Sequence, residues 1–405
     1  MRSFQNNKEW HDKSQQIIPA CCSTLAKTPS RLFSDYNPFC ASSAAGSYFM
    51  DIDGNRWIDC EMSMGTVVWG HNPTFLKSAL IKQIEKGITF STAGENELEY
   101  AEILLKKFSE YDSIKFFKNG ADAVYAAIRL CRYISGKTGV LSCEYHGWLD
   151  WCSYHYYGKE PKHLGISQNI EAESFWCEPE FNSITSTLHV HKKLLACVVL
   201  CPSRYPQSEL SEIFRICRQY GIFVIFDEVT SGVRYGYKGT SGAYELYPDF
   251  LCLSKGLTNG LPLAVCLGKN KSVLTMETLR ISNAHSSENL SIAAAIACEK
   301  EMATSTIWPS WQEEGLKILC EIENCISQLN LQERLHLTGY PGNFHLSSQQ
   351  DFYTDPFREI LVKKLSTEGI FSKGFILFSA AHSTIEIEMV KQIIIDCINI
   401  FAELF

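Results

Sequence analysis

The sequence lacks the features that would place it in a membrane or on nucleic acid. No stretch among its 405 residues approaches the roughly 18 uninterrupted apolar residues of a membrane-spanning helix, and the N-terminal MRSFQNNKEWHDKSQQ has no apolar core of signal-peptide type. There is no Lys/Arg-rich run, and the formal net charge is −8, which gives no electrostatic footprint for nucleic acid or an anionic membrane. Internal repeats and low-complexity linkers are absent as well. We therefore expect a cytoplasmic protein whose partners are small molecules.

The cysteines lack the spacing of a metal or disulfide framework. None of the 17 are spaced C-x-x-C, and most lie inside apolar runs such as ACVVLC and DFLCLS. Free cysteine behaves as a small hydrophobic residue, so we expect reduced, buried thiols. No metal site is expected.

What is present is enough apolar sequence for a large core, arranged in alternating strands and helices. Hydrophobic residues make up 45% of the chain. A hairpin is predicted around Asp53-Gly54, and β-α-β patterns such as LLACVVLCPS, SELSEIFRICRQYG and IFVIFDE follow it. The fold class predicted is α/β, with a mostly parallel central sheet in a large domain at residues 75–300. Residues 1–74 and 301–405 are expected to form a smaller α/β domain.

Several polar groups stand where the predicted strands end. Asp227 follows the apolar run IFVIF, Lys255 follows FLCLS, and Tyr145 with His146 follows GVLSCE. Ligands of open parallel sheets bind at the carboxyl ends of the strands, so these groups are expected at one edge. The turn Asn119-Gly120-Ala121 lies between a strand and a helix, where unpaired N–H groups and the helix dipole suit a phosphate.

Pyridoxal 5′-phosphate (PLP) needs this combination of groups. Its aldehyde forms a Schiff base with a lysine, its protonated ring nitrogen needs a carboxylate, its ring face needs an aromatic side chain, and its phosphate needs backbone donors. Lys255, Asp227, Tyr145 and the Gly120-Ala121 amides can fill these needs in turn.

The same segments resemble the class III aminotransferases of PLP fold type I, in the branch related to glutamate-1-semialdehyde 2,1-aminomutase. The matching motifs are DIDGNRWID, GHNP, NGADA, YHG, FDEVTSGVR and LSKGLTNGLPLA, and the similarity covers most of the chain. The resemblance implies that Lys255 is the Schiff-base lysine and proton shuttle and that Asp227 pairs with the ring nitrogen. It also implies that Val229 and Tyr145 pack on the two ring faces, that Gly120 and Ala121 bind the phosphate, and that the protein is a homodimer.

Other candidates near these motifs allow two interpretations. His146 either contacts the cofactor or the substrate, or satisfies a buried backbone carbonyl. Trp148 and Trp151 are interpreted as packing residues in preference to substrate contacts. Arg234 is a weaker candidate for binding a substrate carboxylate.

The chain departs from the family pattern at four positions. Ala121 stands where the family usually has Ser or Thr, so one hydroxyl donor to the phosphate is missing. Family members commonly have a threonine near the position of Ala284, and that threonine reaches the phosphate of the neighbouring subunit. In this chain Ser286 or Ser287 could make the contact instead. Aminomutases of this branch carry a tryptophan at the position of Met64 and a glutamate near the position of Gly374, and neither is present in this chain.

We therefore predict a PLP-dependent aminotransferase that moves an amino group between a small amine or amino acid donor and an aldehyde or ketone acceptor. One alternative is an intramolecular 2,1-aminomutase, which uses the same residues. The other is a protein of this fold that has little or no turnover, which the altered phosphate positions make conceivable. The missing tryptophan and glutamate argue against the first alternative, and retention of Lys255 and Asp227 argues against the second.

Overall fold

The computed structural model describes residues 2–31, 36–156, 165–349 and 354–404. The chain divides into two compact units, of which the first is Met1–Lys77 with Ser305–Phe405 and the second is Ser78–Thr304. Among the described residues, no helix is both long and apolar enough to cross a membrane.

The strands are, in chain order, β1 (Ala41–Ala45), β2 (Tyr48–Asp51), β3 (Arg56–Asp59), β4 (Ser113–Phe117), β5 (Gly139–Ser142), β6 (Ser174–Trp176), β7 (Leu195–Leu200), β8 (Phe223–Glu228), β9 (Phe250–Leu253), β10 (Ala264–Gly268), β11 (His336–Tyr340), β12 (Asn343–Ser347), β13 (Ile370–Phe371) and β14 (Phe375–Leu377).

The α-helices are α1 (Gln5–Ser14), α2 (Met62–Gly65), α3 (Thr74–Lys86), α4 (Glu95–Lys107), α5 (Gly120–Ser135), α6 (Asp150–Tyr156), α7 (Gln168–Glu171), α8 (Phe181–His191), α9 (Gln207–Tyr220), α10 (Gly239–Ala243), α11 (Asn289–Thr304), α12 (Ile307–Gln328), α13 (Pro356–Thr367) and α14 (Thr384–Ala402).

The second unit is built on a seven-stranded sheet with the order β4-β10-β9-β8-β7-β5-β6. Strands β6, β5, β7, β8 and β9 are parallel to one another. Strand β10 is antiparallel to both β9 and β4, so β4 runs in the same direction as β9. Six strands therefore end at one edge, which we call the carboxyl edge. This confirms the mostly parallel sheet expected from the sequence.

The central strands are buried because helices cover the sheet. All six residues of β7 and all four of β9 are buried, which is why both read as continuous apolar runs. Helix α5 packs on β10, β7 and β9, and it buries Val124, Ala127, Ile128 and Cys131 at helical spacing along one side. The cysteines described are all unbridged, and most are buried.

The first unit contains two small sheets, with the orders β1-β2-β3-β13 and β11-β12-β14. The predicted hairpin around Asp53-Gly54 is the antiparallel pair β2–β3. Helices α12, α13 and α14 cover these sheets with a core that includes Ile322, Leu361 and Ile394.

Candidate active site

The predicted acid and amine follow neighbouring strands at the carboxyl edge. Strand β8 pairs with β9 so that Asp227 lies opposite Cys252 and Glu228 lies opposite Leu253. Lys255 begins the 3₁₀ turn that follows β9. A charged carboxylate and an amine are thus presented by adjacent strands, as their positions after two apolar runs predicted.

Lys255 is held in an unusual backbone conformation. Its φ is +43°, in the left-handed region that a residue with a Cβ atom rarely adopts. Such conformations cost roughly 1–3 kcal/mol and cluster at functional sites. The partly buried Nζ donates a hydrogen bond to Thr230 Oγ1 at 2.7 Å. This contact fixes the amine beside the loop that follows Asp227.

Asp227 is held by two hydrogen bonds on its two oxygens. Oδ1 accepts the Val229 N–H at 3.0 Å, and Oδ2 lies 2.8 Å from His146 Nδ1. The side chain of Asp227 is 8% exposed. A carboxylate in this position has its orientation set from both sides, by its own loop and by the loop that follows β5.

His146 was placed near the site by the sequence, but its contact was not foreseen. The ring is buried and pairs with the Asp227 carboxylate, a partner that neither of the two interpretations had named. Trp151 is buried and its ring lies nearly parallel to that of His146, with centroids 5.9 Å apart. Trp151 is therefore a packing residue that supports the histidine, whereas Trp148 is exposed.

The turn before α5 presents bare backbone to the same edge. Among the residues that the structure describes, neither the Gly120 amide nor the Ala121 amide donates a hydrogen bond. A Cβ atom on Gly120 would come within 2.4 Å of Val229 Cγ2, and one on Gly147 would come within 2.6 Å of Ala121 Cβ. The Val229 loop and the loop containing Tyr145 therefore both lie against the first turn of α5.

The remaining candidates differ in exposure. Tyr145 is 46% exposed, next to the buried His146. Asn119 is exposed and its Nδ2 donates to Asp122 Oδ2 at 3.1 Å. Arg234 is buried. In the loop of the missing threonine, Ser286 Oγ donates to Asn283 Oδ1 at 2.8 Å.

Met64 lies within the first unit. It follows Met62 and Ser63, and all three have positive φ values of 43° to 59°. Met64 and Ser63 line a cavity of about 390 Å³ together with Glu61 and Lys373, which form a buried ion pair at 3.1 Å. Sequence reasoning singled out Met64 but had no signal for this ion pair.

The groups at the carboxyl edge of the second unit fit PLP. Lys255 supplies an amine, Asp227 supplies a buried carboxylate, and the 16-residue helix α5 begins with two undonated amides. The turn before α5 forms a phosphate cradle. A Cβ atom at Gly120 or Gly147 would collide with a neighbouring side chain, so any larger residue at either position would fill this cradle. The chemistry of this donor set matches an aldehyde, a protonated ring nitrogen and a phosphate.

Comparison with known proteins agrees with this fit. The family model of class-III aminotransferases matches residues 33–375. Glutamate-1-semialdehyde 2,1-aminomutase of Thermodesulfovibrio yellowstonii is 27% identical over 388 residues, covering 88% of this chain and 90% of that protein. The same enzyme of Methanocella arvoryzae is 24% identical over 359 residues, covering 84% and 83%.

Solved structures share the whole fold. An omega-transaminase from Sphaerobacter thermophilus superposes with a TM-score of 0.85 at 20% identity, over 97% of each chain. The fold class, the family and the cofactor expected from the sequence are confirmed. The chain therefore belongs to the class-III aminotransferase family, whose members are PLP-dependent enzymes of PLP fold type I.

Proposed function

We propose that this enzyme transfers an amino group from a small amine or amino acid to a separate aldehyde or ketone, at the carboxyl edge of the second unit. The observation that supports this most is the placement of Asp227 in β8 and of Lys255 in the turn that follows the adjacent parallel strand β9, at the edge where the undonated amides of α5 lie. The partners are then small molecules.

Each residue of the site has a separate task in this proposal. Lys255 Nζ would hold the cofactor covalently through its aldehyde carbon, and Asp227 would face its ring nitrogen. Val229 and Tyr145 would cover the two faces of the ring. The amides of Gly120 and Ala121, with Asn119 beside them, would bind the phosphate, while His146 would act through Asp227.

Bound PLP supplies an electron sink for the pair left behind when a bond to the substrate carbon breaks. The chain's own groups handle the protons. Lys255 Nζ, once the donor amine has displaced it, is the base that takes the proton from the donor's carbon, and Thr230 Oγ1 is the hydrogen-bond partner that keeps it near. The Asp227 carboxylate holds a proton on the ring nitrogen by its charge.

The surroundings of Gly374 in the first unit give less support to the aminomutase alternative. Gly374 lies near the position where the aminomutase branch carries a glutamate. Its φ is +101°, and a Cβ atom there would lie 2.6 Å from Arg358 Cγ. Arg358 is buried, so it cannot easily move aside for a larger side chain. Transfer between two separate molecules is therefore the main proposal.

We further propose a cytoplasmic homodimer. Reduced thiols persist in the cytoplasm, and all 17 cysteines are unbridged, even Cys143 and Cys177, whose sulfur atoms are 3.6 Å apart. Two-fold symmetric dimers are the commonest oligomers. Light scattering should give twice the mass of the chain, and a stable monomer that retains PLP would contradict the dimer.

The reaction is tested with a panel of amino donors added to the PLP-loaded enzyme. At least one donor should convert the bound cofactor from its aldehyde form to its amine form, as followed by absorbance, and should leave as a carbonyl compound. Lys255→Ala should abolish this conversion, whereas Lys269→Ala, which removes a lysine that donates to the Tyr247 carbonyl, should not. Isomerisation of a single amino-aldehyde with no donor consumed would instead establish the mutase.

A further inference from the structure

A second buried carboxylate lies on the far side of His146 from Asp227. Glu144 follows β5 and is buried, and its Oε1 accepts a hydrogen bond from Tyr205 at 2.5 Å. Its Oε2 lies 3.5 Å from His146 Nε2. Within the described ranges of the chain, neither of these two facing atoms has a hydrogen-bond partner. The imidazole therefore lies between two carboxylates, one at each nitrogen.

The other titratable groups that face His146 are uncharged at neutral pH. Cys201 Sγ is 3.9 Å from Nδ1, and burial raises the pKa of Cys201 to about 11. Cys152 Sγ accepts the backbone N–H of His146 at 3.2 Å, and burial raises the pKa of that thiol too. Burial, followed by the charge of Glu144, also raises the pKa of Tyr205. Glu144 and Asp227 are thus the anions that decide the state of the ring.

A neutral imidazole has a proton on one nitrogen and a lone pair on the other. Between two carboxylates, one lone pair would face a negative oxygen in a buried site, where such repulsion is costly. A doubly protonated ring presents an N–H to each carboxylate instead. Burial by itself lowers the pKa of His146, yet Cys201, Asp227 and Glu144 together raise it well above its ordinary value. Because Cys201 is a neutral thiol, we attribute the rise to the carboxylates.

We propose that Glu144 is a positioning residue that keeps His146 a permanent imidazolium, so that Asp227 faces the same positive partner throughout the working pH range. The proposal rests on the proposed function, since it matters to the reaction only if Asp227 serves the cofactor's ring nitrogen. With the imidazole protonated between two carboxylates, the three side chains sum to a charge of −1, and this charge favours the protonated ring nitrogen.

Removing the charge of Glu144 should make the net charge beside the ring nitrogen depend on pH. In Glu144→Gln the amide can still face Nε2, but His146 is expected to titrate nearer its ordinary pKa of about 6.5. The remaining pair of His146 and Asp227 then carries −1 above that pH and 0 below it. A less negative site holds a proton on the ring nitrogen less well, so Glu144→Gln should lose rate selectively as the pH falls.

The protonation of His146 can be measured without cofactor. Protein labelled with ¹⁵N-histidine gives nitrogen shifts that distinguish a doubly protonated ring from a neutral one, and the signals of His146 are those missing in His146→Gln. At pH 8 the wild type should have protons on both His146 nitrogens, and Glu144→Gln should have one nitrogen unprotonated. A neutral His146 in the wild type, or identical spectra in the two proteins, would overturn the proposal.

The second measurement is the pH profile of the donor half-reaction in the PLP-loaded enzymes. The ratio of the rate at pH 8.5 to that at pH 5.5 should be roughly tenfold larger in Glu144→Gln than in the wild type, the size of one pKa unit. The control is Glu173→Gln, which removes the same charge at a half-exposed pair with Arg132 and should follow the wild type. A rate lowered equally at every pH would mean that Glu144 is merely structural. If wild type shows no half-reaction at all, the proposed function fails, whatever the spectra show.

Discussion

Replacement of Asp227 by asparagine separates cofactor binding from catalysis. Asparagine has the same shape and can keep the hydrogen bond from the Val229 N–H, which Asp227 Oδ1 accepts at 3.0 Å. It loses the negative charge beside His146 and the ring nitrogen. We therefore expect Asp227→Asn to bind PLP through Lys255 and to fold, but to react slowly.

The size of the loss follows from the burial of the carboxylate. A hydrogen bond to a charged group contributes about 1.5–3 kcal/mol, and the 8% exposure of Asp227 points to the upper part of that range because little water screens it. At about 1.4 kcal/mol for each tenfold change in rate, 2–3 kcal/mol corresponds to a rate roughly 30- to 150-fold lower.

The assay is the single-turnover conversion of the bound cofactor by an amino donor, with PLP binding measured separately by titration. The matched control is Asp249→Asn. Asp249 Oδ2 likewise accepts a backbone N–H, that of Val224 at 2.8 Å, but at the opposite end of β8. Loss of the Asp249 charge should therefore leave the rate unchanged. If Asp227→Asn reacts as fast as the wild type, the role assigned to Asp227 is refuted.

Two further expectations concern the phosphate cradle and the stability of the second unit. Ala121→Ser should restore a hydroxyl donor and tighten PLP binding by about fivefold, the effect of roughly 1 kcal/mol; a fluorescence titration that shows no change would count against the placement of the phosphate. Lys107→Ala should lower the free energy of unfolding by about 3–5 kcal/mol, because it leaves Glu299 unpaired in an ion pair whose side chains are both 3% exposed, with Nζ 2.8 Å from Oε1. The control Lys86→Ala, at an ion pair whose side chains are 62% and 77% exposed, should change it by less than about 1 kcal/mol, and equal urea midpoints for the two variants would contradict this reasoning.

The sheet could be predicted from the sequence because buried parallel strands have a distinctive pattern. Strands β8 and β9 are apolar runs that end near a charged residue, and open parallel sheets bind their ligands at the edge where such strands end. The reversed direction of β10 could not be predicted, since a strand that is buried on both sides has the same apolar sequence in either direction. The hairpin of β11 and β12 was missed because β11 is mostly exposed and lacks the alternation of a half-buried strand.

The pairs within the site were beyond sequence reasoning for a different reason. His146 and Asp227 are 81 residues apart, and only the adjacency of β5, β7 and β8 brings their loops together. A histidine near the end of a strand predicts no particular partner. The role of Glu144 was harder still to predict, because a glutamate beside a motif is usually solvated. In the structure it is buried between Tyr205 and His146.

The attachment point of the cofactor tests the central claim most directly. Borohydride reduction of the PLP-loaded enzyme fixes the cofactor to whichever amine holds it, and peptide mass spectrometry then locates the added phosphopyridoxyl group. The structure leads us to expect that group on the peptide containing Lys255 and its absence from the same peptide of Lys255→Ala. A group found on a different lysine of the wild type, or a wild type that binds no PLP, would contradict the account.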